Sequence, residues 1–556
     1  MFRRIVVLLC SLLTAVIAVA APSHRAIADY LARAEALGFD GQVVVERDGV
    51  VIHDGAYGFA DRARAARVTR NTIFNIASES KQFTAAAILR LEADGKLHVT
   101  DTIDRYIDNV PDDRRDITIH QLLTHTSGLP PGDVVDDFAP IEHRALIAKI
   151  LAQPRKTPGT WRYANAGYNL LAAIIERASG MSYAAYLHKA IFDPLRMKHS
   201  GVYGVDSARF RDAATAYRGF APQGSVASWP DNPRTWGAGS VFSTAEDLAT
   251  FARALREGRV IPPAQFAKMT ARHVKMPKGD DSYGYAWFVG DTLLEHGGDT
   301  EPGFSCTMRY YPKEKIAIIL TSNRTELNGI WLRWGVQDAI TALAGAPAKL
   351  EPLPDVRDAG AAPRDGIYTA ANGARLQFHR VGRQLVADAL DPNAAIALWN
   401  ASADAASLAK AVAKTNALLE GLRAGNAKDA YTAALYGDGA EYVPDYITEW
   451  TTLTGKYGAL RAFDVRGALP MRRGAARVFV AYQWERGANG MSFLWRDKGE
   501  GRLVGSSPGE APPLARVFAA TSDGTLTAYD FGAHAALPLT FAGNSVTVGG
   551  VAFTRR

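Results

Sequence analysis

The segment Ile73-Phe74-Asn75-Ile76-Ala77-Ser78-Glu79-Ser80-Lys81-Gln82-Phe83 constrains this chain more than any other. It ends an extended run and opens an apolar stretch. There Phe83, Ala87, Ile88 and Leu91 recur at helical spacing, and Gly95 offers a C-terminal stop. A helix so rich in Ala, Ile and Leu belongs at the centre of a fold. Ser78 stands at its start and Lys81 lies three residues on, so both side chains share one helix face and the amine can reach the hydroxyl. The helix dipole favours an anion at that end. These are the ingredients of an activated nucleophile. Ser-x-x-Lys alone is weak, since chance supplies it roughly once or twice in a chain this long. Ser407-Leu408-Ala409-Lys410 is such a stray match. The case for Ser78 depends on partners elsewhere.

At 556 residues the chain is long enough for more than one domain. It is 47% hydrophobic and 22% charged, which marks a globular protein. The net charge of +6 is mild for this length. Arg62, Arg64, Arg67 and Arg70 fall in what reads as a loop, without interleaved aromatics, so nucleic acid is not an expected partner. Arg3 and Arg4 precede an apolar run, 5–20, that closes on Ala18-Val19-Ala20. This pattern predicts a signal peptide over 1–21 and a periplasmic or secreted mature protein. The run is short of the roughly 20 residues a membrane span needs, so no span is expected once the signal is removed. Of the two cysteines, Cys10 falls in that signal. Cys306 then remains alone, with no internal disulfide and no cysteine-rich zinc site. It reads as a buried strand residue. No phosphate-binding glycine loop or dinucleotide fingerprint stands between a strand and a helix, and neither cofactor nor metal is expected.

Residues 26–37 read as an amphipathic helix stopped by Gly38, and 41–47 with 50–53 as a hairpin about Asp48-Gly49. A short helix, 119–123, leads into Thr126-Ser127-Gly128-Leu129-Pro130, a turn that His125 and Ser127 are expected to shape. Ser243 with Glu246 makes a capping box for a helix through Leu255. Strands are expected at 283–289 and 292–296, a hairpin at 304–311 and 316–322, and a closing helix at 330–343. This order suggests an α+β unit whose N- and C-terminal pieces meet in one antiparallel sheet. Residues 346–363, rich in Ala and Pro, read as a linker. Beyond it, 364–398 and 515–556 carry short strands, while 399–505 reads as a helix followed by long strands. One arrangement is a β-barrel-like module split by an insertion; the other is two successive small domains. Tyr442, Tyr446, Trp450 and Trp484 read as core rather than as a stacking platform.

Three separated pieces of the first domain, 22–345, can form one acyl-transfer site. They are Ser78 with Lys81, Tyr163-Ala164-Asn165 on a turn, and His296-Gly297-Gly298 at a strand end. In this order and context the chain resembles the penicillin-recognising serine hydrolases, in the branch of class C β-lactamases, D-alanyl-D-alanine carboxypeptidases and esterases. Phe74–Thr84, Leu122-Leu123-Thr124-His125-Thr126-Ser127-Gly128-Leu129 and Tyr163-Ala164-Asn165-Ala166-Gly167-Tyr168 carry the likeness. The resemblance implies a β-lactamase/penicillin-binding-protein-like transpeptidase fold, an antiparallel sheet flanked by helices plus a helical subdomain. The 399–505 segment resembles a nuclear-transport-factor-like α+β cone.

The resemblance also implies roles. Ser78 would attack a carbonyl and become acylated. Lys81 would lie against Ser78 and Tyr163, and either Tyr163 or Lys81 could be the general base. Asn165 would hold Lys81 or a substrate amide. The N–H groups of Ser78 and Asp299 would form an oxyanion hole, while Gly297 and Gly298 let a substrate backbone approach. One departure stands out. Where the β-lactamases of this branch carry a lysine, this chain has His296, which is largely neutral above a pKa of about 6.5. The expected activity is that of an exported serine hydrolase acting through an acyl-enzyme on small esters, amides or D-amino-acid peptides, with little dependence on a substrate carboxylate. The alternatives are a β-lactamase and a non-catalytic binding or regulatory protein on the same scaffold.

Overall fold

A computed structural model describes residues 24–130, 140–207, 212–218, 221–277, 279–300, 303–324, 327–357, 364–399, 405–435, 440, 442–471, 475–496, 502–508, 515–530 and 535–555. The expected signal peptide lies outside them. The sheet that organises the first half is antiparallel throughout. Its order is Val274–Lys275, Ser282–Tyr283, Phe288–Val289, Leu294–Asp299, Ser305–Tyr311, Ile316–Ser322, Gly41–Arg47, Val50–Tyr57. The ends of this half meet where Gly41 pairs with Ser322 and Arg47 with Ile316. Asp48 and Gly49, at φ +51° and +80°, make the tight hairpin between the first two strands.

Strand alternation sorts the core onto two faces. Val43, Val45, Ile316, Ile318 and Leu320 pack with the helices His24–Ala36 and Leu327–Ala344. Val44, Ala317, Ile319, Cys306 and Met308 face a helical layer instead. At the centre of that layer is the helix Ser80–Ala93, buried on every side from Ser80 to Leu89. Ala85, Ala86 and Ala87 let its neighbours approach closely, among them the helix Asn165–Ser179.

Two local expectations change. The predicted strand 283–289 is two short strands, Ser282–Tyr283 and Phe288–Val289, folded back on each other. Gly284 N–H bonds to Trp287 O at 2.8 Å, and Ala286 has φ +58°. The cap of the helix Ala245–Arg256 is Thr244, whose side chain accepts from the Asp247 N–H at 3.2 Å. Ser243 is committed elsewhere: its backbone pairs with Phe74, and its hydroxyl bonds to Ser200 at 2.8 Å.

In the second half, strands from both sides of a long insertion join one barrel. Its strands are Gly366–Ala370, Arg375–Val381, Gln384–Ala389, Ala515–Thr521, Leu526–Asp530, Ala535–Ala542, Ser545–Val548 and Val551–Arg555. The circle closes through Tyr368 with Arg555 and Ala519 with Thr527. Leu376, Phe378, Leu385, Phe518, Val546 and Phe553 fill it. Between Gln384–Ala389 and Ala515–Thr521 the chain leaves to build a separate sheet. This comprises Leu460–Met471, Ala475–Trp484, Gly487–Arg496 and Arg502–Pro508, and is packed by the helices Ala405–Arg423, Ala427–Ala434 and Val443–Tyr457. Trp450, Tyr482 and Trp484 are in its core.

The segment read as a linker is packed in its first part. Leu353 and Val356 are buried, and Val356–Arg357 pairs with the barrel strand Ala515–Thr521. Arg62 ties the halves together. It binds Asp40 at 2.5 Å and donates to Gln384 Oε1 at 3.1 Å, while Gln384 Nε2 donates to Glu35 O at 2.8 Å.

Candidate active site

The chain reaches Ser78 through a strained turn. Phe74–Asn75 pairs with Val241–Ser243, Ala77–Glu79 forms one 3-10 turn, and the α-helix begins at Ser80. Ser78 is therefore presented just before the helix rather than within it. Ala77 has φ +49°, a left-handed conformation that costs a non-glycine residue roughly 1–2 kcal/mol. Asn75 holds it there: its Oδ1 accepts from Ala77 N–H at 2.6 Å, and its Nδ2 donates to Gly239 O at 3.1 Å. Ser78 is partly exposed and Lys81 fully buried. Lys81 Nζ donates to Ser78 Oγ and to Ala238 O, both at 2.9 Å. The loop bearing Ala238 is itself bolted down by Thr84 Oγ1 to Gly237 O at 2.8 Å and Asn169 Nδ2 to Trp236 O at 2.8 Å.

Tyr163 comes from a loop held by His125. Arg162 N–H donates to His125 O at 2.8 Å, and Ala164 N–H donates to His125 Nδ1 at 3.1 Å. This places Lys81 Nζ 4.9 Å from the Tyr163 ring centroid and 5.5 Å from that of Tyr168. Asn165, two residues on, is the first residue of the helix Asn165–Ser179 that packs on the nucleophile helix.

His125 does more than shape a turn. It adopts φ +57°, and its buried ring lies 4.3 Å from Tyr163, 5.1 Å from Tyr168 and 5.0 Å from Tyr283, centroid to centroid. Burial, then the Lys81 ammonium, then His296, hold its pKa well below the usual histidine value. With Nδ1 accepting, the neutral ring carries its proton on Nε2.

The strand Leu294–Asp299 continues past His296, pairing through Gly297↔Thr307, Gly298↔Cys306 and Asp299↔Ser305. His296 is buried, its Nε2 3.1 Å from Tyr283 Oη and its ring 6.5 Å from Tyr163. Burial first, and the Lys81 ammonium second, push its pKa down to about 3, so it is neutral. The two glycines differ. A Cβ on Gly298 would lie 2.2 Å from the Ser78 nitrogen, whereas one on Gly297 would meet nothing closer than Cys306 O at 3.4 Å. The missing side chain at 298 lets the strand press onto the nucleophile turn, whereas a Cβ at 297 would make only ordinary contacts. A recess of about 350 Å³ lies against this strand, lined in part by Gly297, Asp299, Thr307, Arg333 and Gln337. Asp299 accepts from Ser305 Oγ at 2.6 Å and pairs with Arg333 at 3.3 Å. Arg333, buried and also bonded to Thr307 Oγ1, is a site residue that sequence reading missed.

Ser78, Lys81, Tyr163, His296 and Gly298 thus converge from three distant stretches. The stray Ser407-x-x-Lys410 lies in the helix Ala405–Arg423, apart from them. Cys306 is buried mid-strand, where burial raises its pKa well above a usual thiol's.

The model of the β-lactamase family matches residues 25–343. PbpX of Bacillus subtilis, named as a penicillin-binding protein, is 30% identical over 304 residues, covering 54% of this chain and 74% of that one. The penicillin-binding protein of Bacillus halodurans, a solved structure, is 26% identical at a TM-score of 0.46, covering 58% of this chain and 99% of its own. The D-amino acid amidase of Ochrobactrum anthropi SV3, solved with L-phenylalanine amide, is 23% identical at a TM-score of 0.50. That match covers 57% of this chain and 96% of the amidase, and it shares the fold.

Proposed function

Because this chain belongs to the β-lactamase family, we propose that it is an exported serine hydrolase that turns over small esters, amides or D-amino-acid-containing peptides through an acyl-enzyme on Ser78. The observation that carries this reading is the 2.9 Å hydrogen bond from Lys81 Nζ to Ser78 Oγ, with the Tyr163 ring stacked over the same amine. Ser78 Oγ attacks the substrate carbonyl carbon and gives up its proton to the Lys81–Tyr163 pair. The carbonyl oxygen becomes an oxyanion between the N–H groups of Ser78 and Asp299. Collapse breaks the bond to the alcohol or amine, which leaves with the proton, and water then repeats the cycle on the ester.

Either member of the pair can take the proton. A buried ammonium beside the phenol favours phenolate, which makes Tyr163 the base, while loss of the ammonium proton makes Lys81 the base. Asn165, at the mouth of the Tyr163 loop, serves to orient Lys81 or the substrate amide. The amidase and the penicillin-binding relatives are consistent with acyl transfer to carbonyl substrates.

Specificity follows from His296. Its neutral ring offers no cation for a substrate carboxylate, and the nearby Arg333 already pairs with Asp299. Substrates without a carboxylate are therefore accepted. Export rests on the N-terminal signal pattern; among the described residues no helix is long and apolar enough to cross a membrane. Matched chromogenic substrates with and without a carboxylate test the reading. Comparable kcat/KM at pH 8, abolished in Ser78→Ala, is expected. A strong carboxylate requirement, or turnover that survives in Ser78→Ala, contradicts it.

A further inference from the structure

Glu79 follows the nucleophile and has no part in the chemistry above. It is fully buried, its Oε1 accepting from the Met308 N–H at 2.9 Å. Oε2 has no hydrogen-bond partner among the described residues. An ionised carboxyl in this position exchanges its hydration for one N–H. Burial is the largest influence on the acid and Glu295 adds to it, while the Met308 N–H, Arg333 and Lys81 act the other way. The net effect is a pKa pushed up to about 8. Cys306 and Tyr283 also face this carboxyl.

What Glu79 connects matters more than its charge. The Ser78 N–H belongs to the strained turn, and the Asp299 N–H belongs to the strand Leu294–Asp299. That strand is registered on Ser305–Tyr311 through His296↔Met308 and Asp299↔Ser305. The bond from Met308 to Glu79 therefore joins the turn to the strand pair that carries the other half of the proposed oxyanion hole. Asn75 secures the turn upstream of Ser78; Glu79 secures it downstream.

Resting on the serine-hydrolase reading, we propose that Glu79 is a positioning residue that ties the Ser78 turn to the sheet and so fixes the spacing of the two oxyanion N–H groups. Ionisation leaves the Met308 bond in place but puts a buried charge behind the nucleophile, offset only in part by Arg333 and Lys81.

The test is the rate of Ser78 acylation by a fluorophosphonate as a function of pH, per reactive site counted at full labelling, in wild type, Glu79→Gln, Glu79→Ala and Ser78→Ala. Glu79→Gln keeps the acceptor and the shape of the neutral acid. Its rate at pH 7 is expected within about threefold of wild type. An inflection near pH 8 is expected in wild type and is expected to be missing from Glu79→Gln. Glu79→Ala is expected to react roughly tenfold or more slowly per site, with the half-saturating probe concentration unchanged. Wild-type rates per site in Glu79→Ala, or an unchanged inflection in Glu79→Gln, overturn the proposal. If Glu79→Ala does not fold, the Glu79→Gln profile decides. Absence of labelling in folded wild type defeats the serine-hydrolase reading itself. Normal labelling with indifferent Glu79 variants defeats only this inference.

Discussion

Gly298 and the Ser78 backbone nitrogen are in direct contact: a Cβ at 298 would sit 2.2 Å from that nitrogen and 2.7 Å from the Ala77 Cβ. Both neighbours are held, Ala77 by Asn75 and the strand by its pairing with Ser305–Tyr311, so neither yields at low cost. Gly298→Ala is expected to push the strand off the turn and lower kcat/KM roughly 100-fold or more, the loss typical of a spoiled oxyanion donor. Gly297→Ala, at a position with room, is expected to cost under about tenfold. Steady-state kinetics on the two variants, with circular dichroism to confirm folding, check the difference.

Lys81 and Tyr163 make different structural contributions. Lys81→Met removes a donor to both Ser78 and Ala238. It is expected to reduce kcat by about 1,000-fold or more. Tyr163→Phe keeps the ring against His125 and over the amine, so the melting temperature is expected to stay unchanged while kcat falls roughly 100-fold. Thermal unfolding and kcat measured on the same samples separate packing from chemistry.

Acid stability follows from the buried histidines. His296 titrates at about 3 in the fold against an ordinary value of about 6.5, and His125 is lowered in the same direction. The unfolded chain therefore binds these protons first. The stability linked to neutral His296 is present above about pH 6.5 and is lost progressively as pH falls towards 3. Urea unfolding across that range is expected to show a steeper loss for wild type than for His296→Gln. Equal slopes contradict the assignment of a neutral buried imidazole.

What could be read from the chain and what could not divide along physical lines. The Asp48-Gly49 hairpin was legible because both residues accept positive φ. The Ser78–Lys81 bond was legible because helical spacing alone brings the two together. Thr244 was missed as a cap because Ser243 is an equally good capping residue until Ser200 and Phe74 engage it. The bend at 284 was hidden for a similar reason: a Cβ there would meet Met269 O at 2.6 Å, a contact set by a distant helix. In the site, the three motifs were readable as sequence. The ring cluster around His125 and the Arg333–Asp299 pair arise from residues far apart in the chain and leave no local periodicity. The barrel's circular closure was open for the same reason, since Tyr368 and Arg555 carry no mutual signal.

Arg62 links a buried ion pair of the first half to the barrel strand bearing Gln384. Its guanidinium and the Asp40 carboxylate are both buried at 2.5 Å, and Arg324 stands farther off at 3.7 Å. Arg62→Ala leaves Asp40 underpaired and removes the bond to Gln384. The expected loss is about 3–5 kcal/mol, read as a lower urea midpoint. Limited proteolysis is expected to release a fragment from about residue 364 onward more readily than in wild type.

The most direct measurement is intact-protein mass after exposure to benzylpenicillin or a fluorophosphonate, followed by peptide mapping. A single covalent adduct on Ser78 in wild type, absent from a folded Ser78→Ala variant, is the expected result. A folded wild-type protein that stays unmodified, or an adduct that persists when Ser78 is gone, contradicts the assignment of Ser78 as the acylated nucleophile.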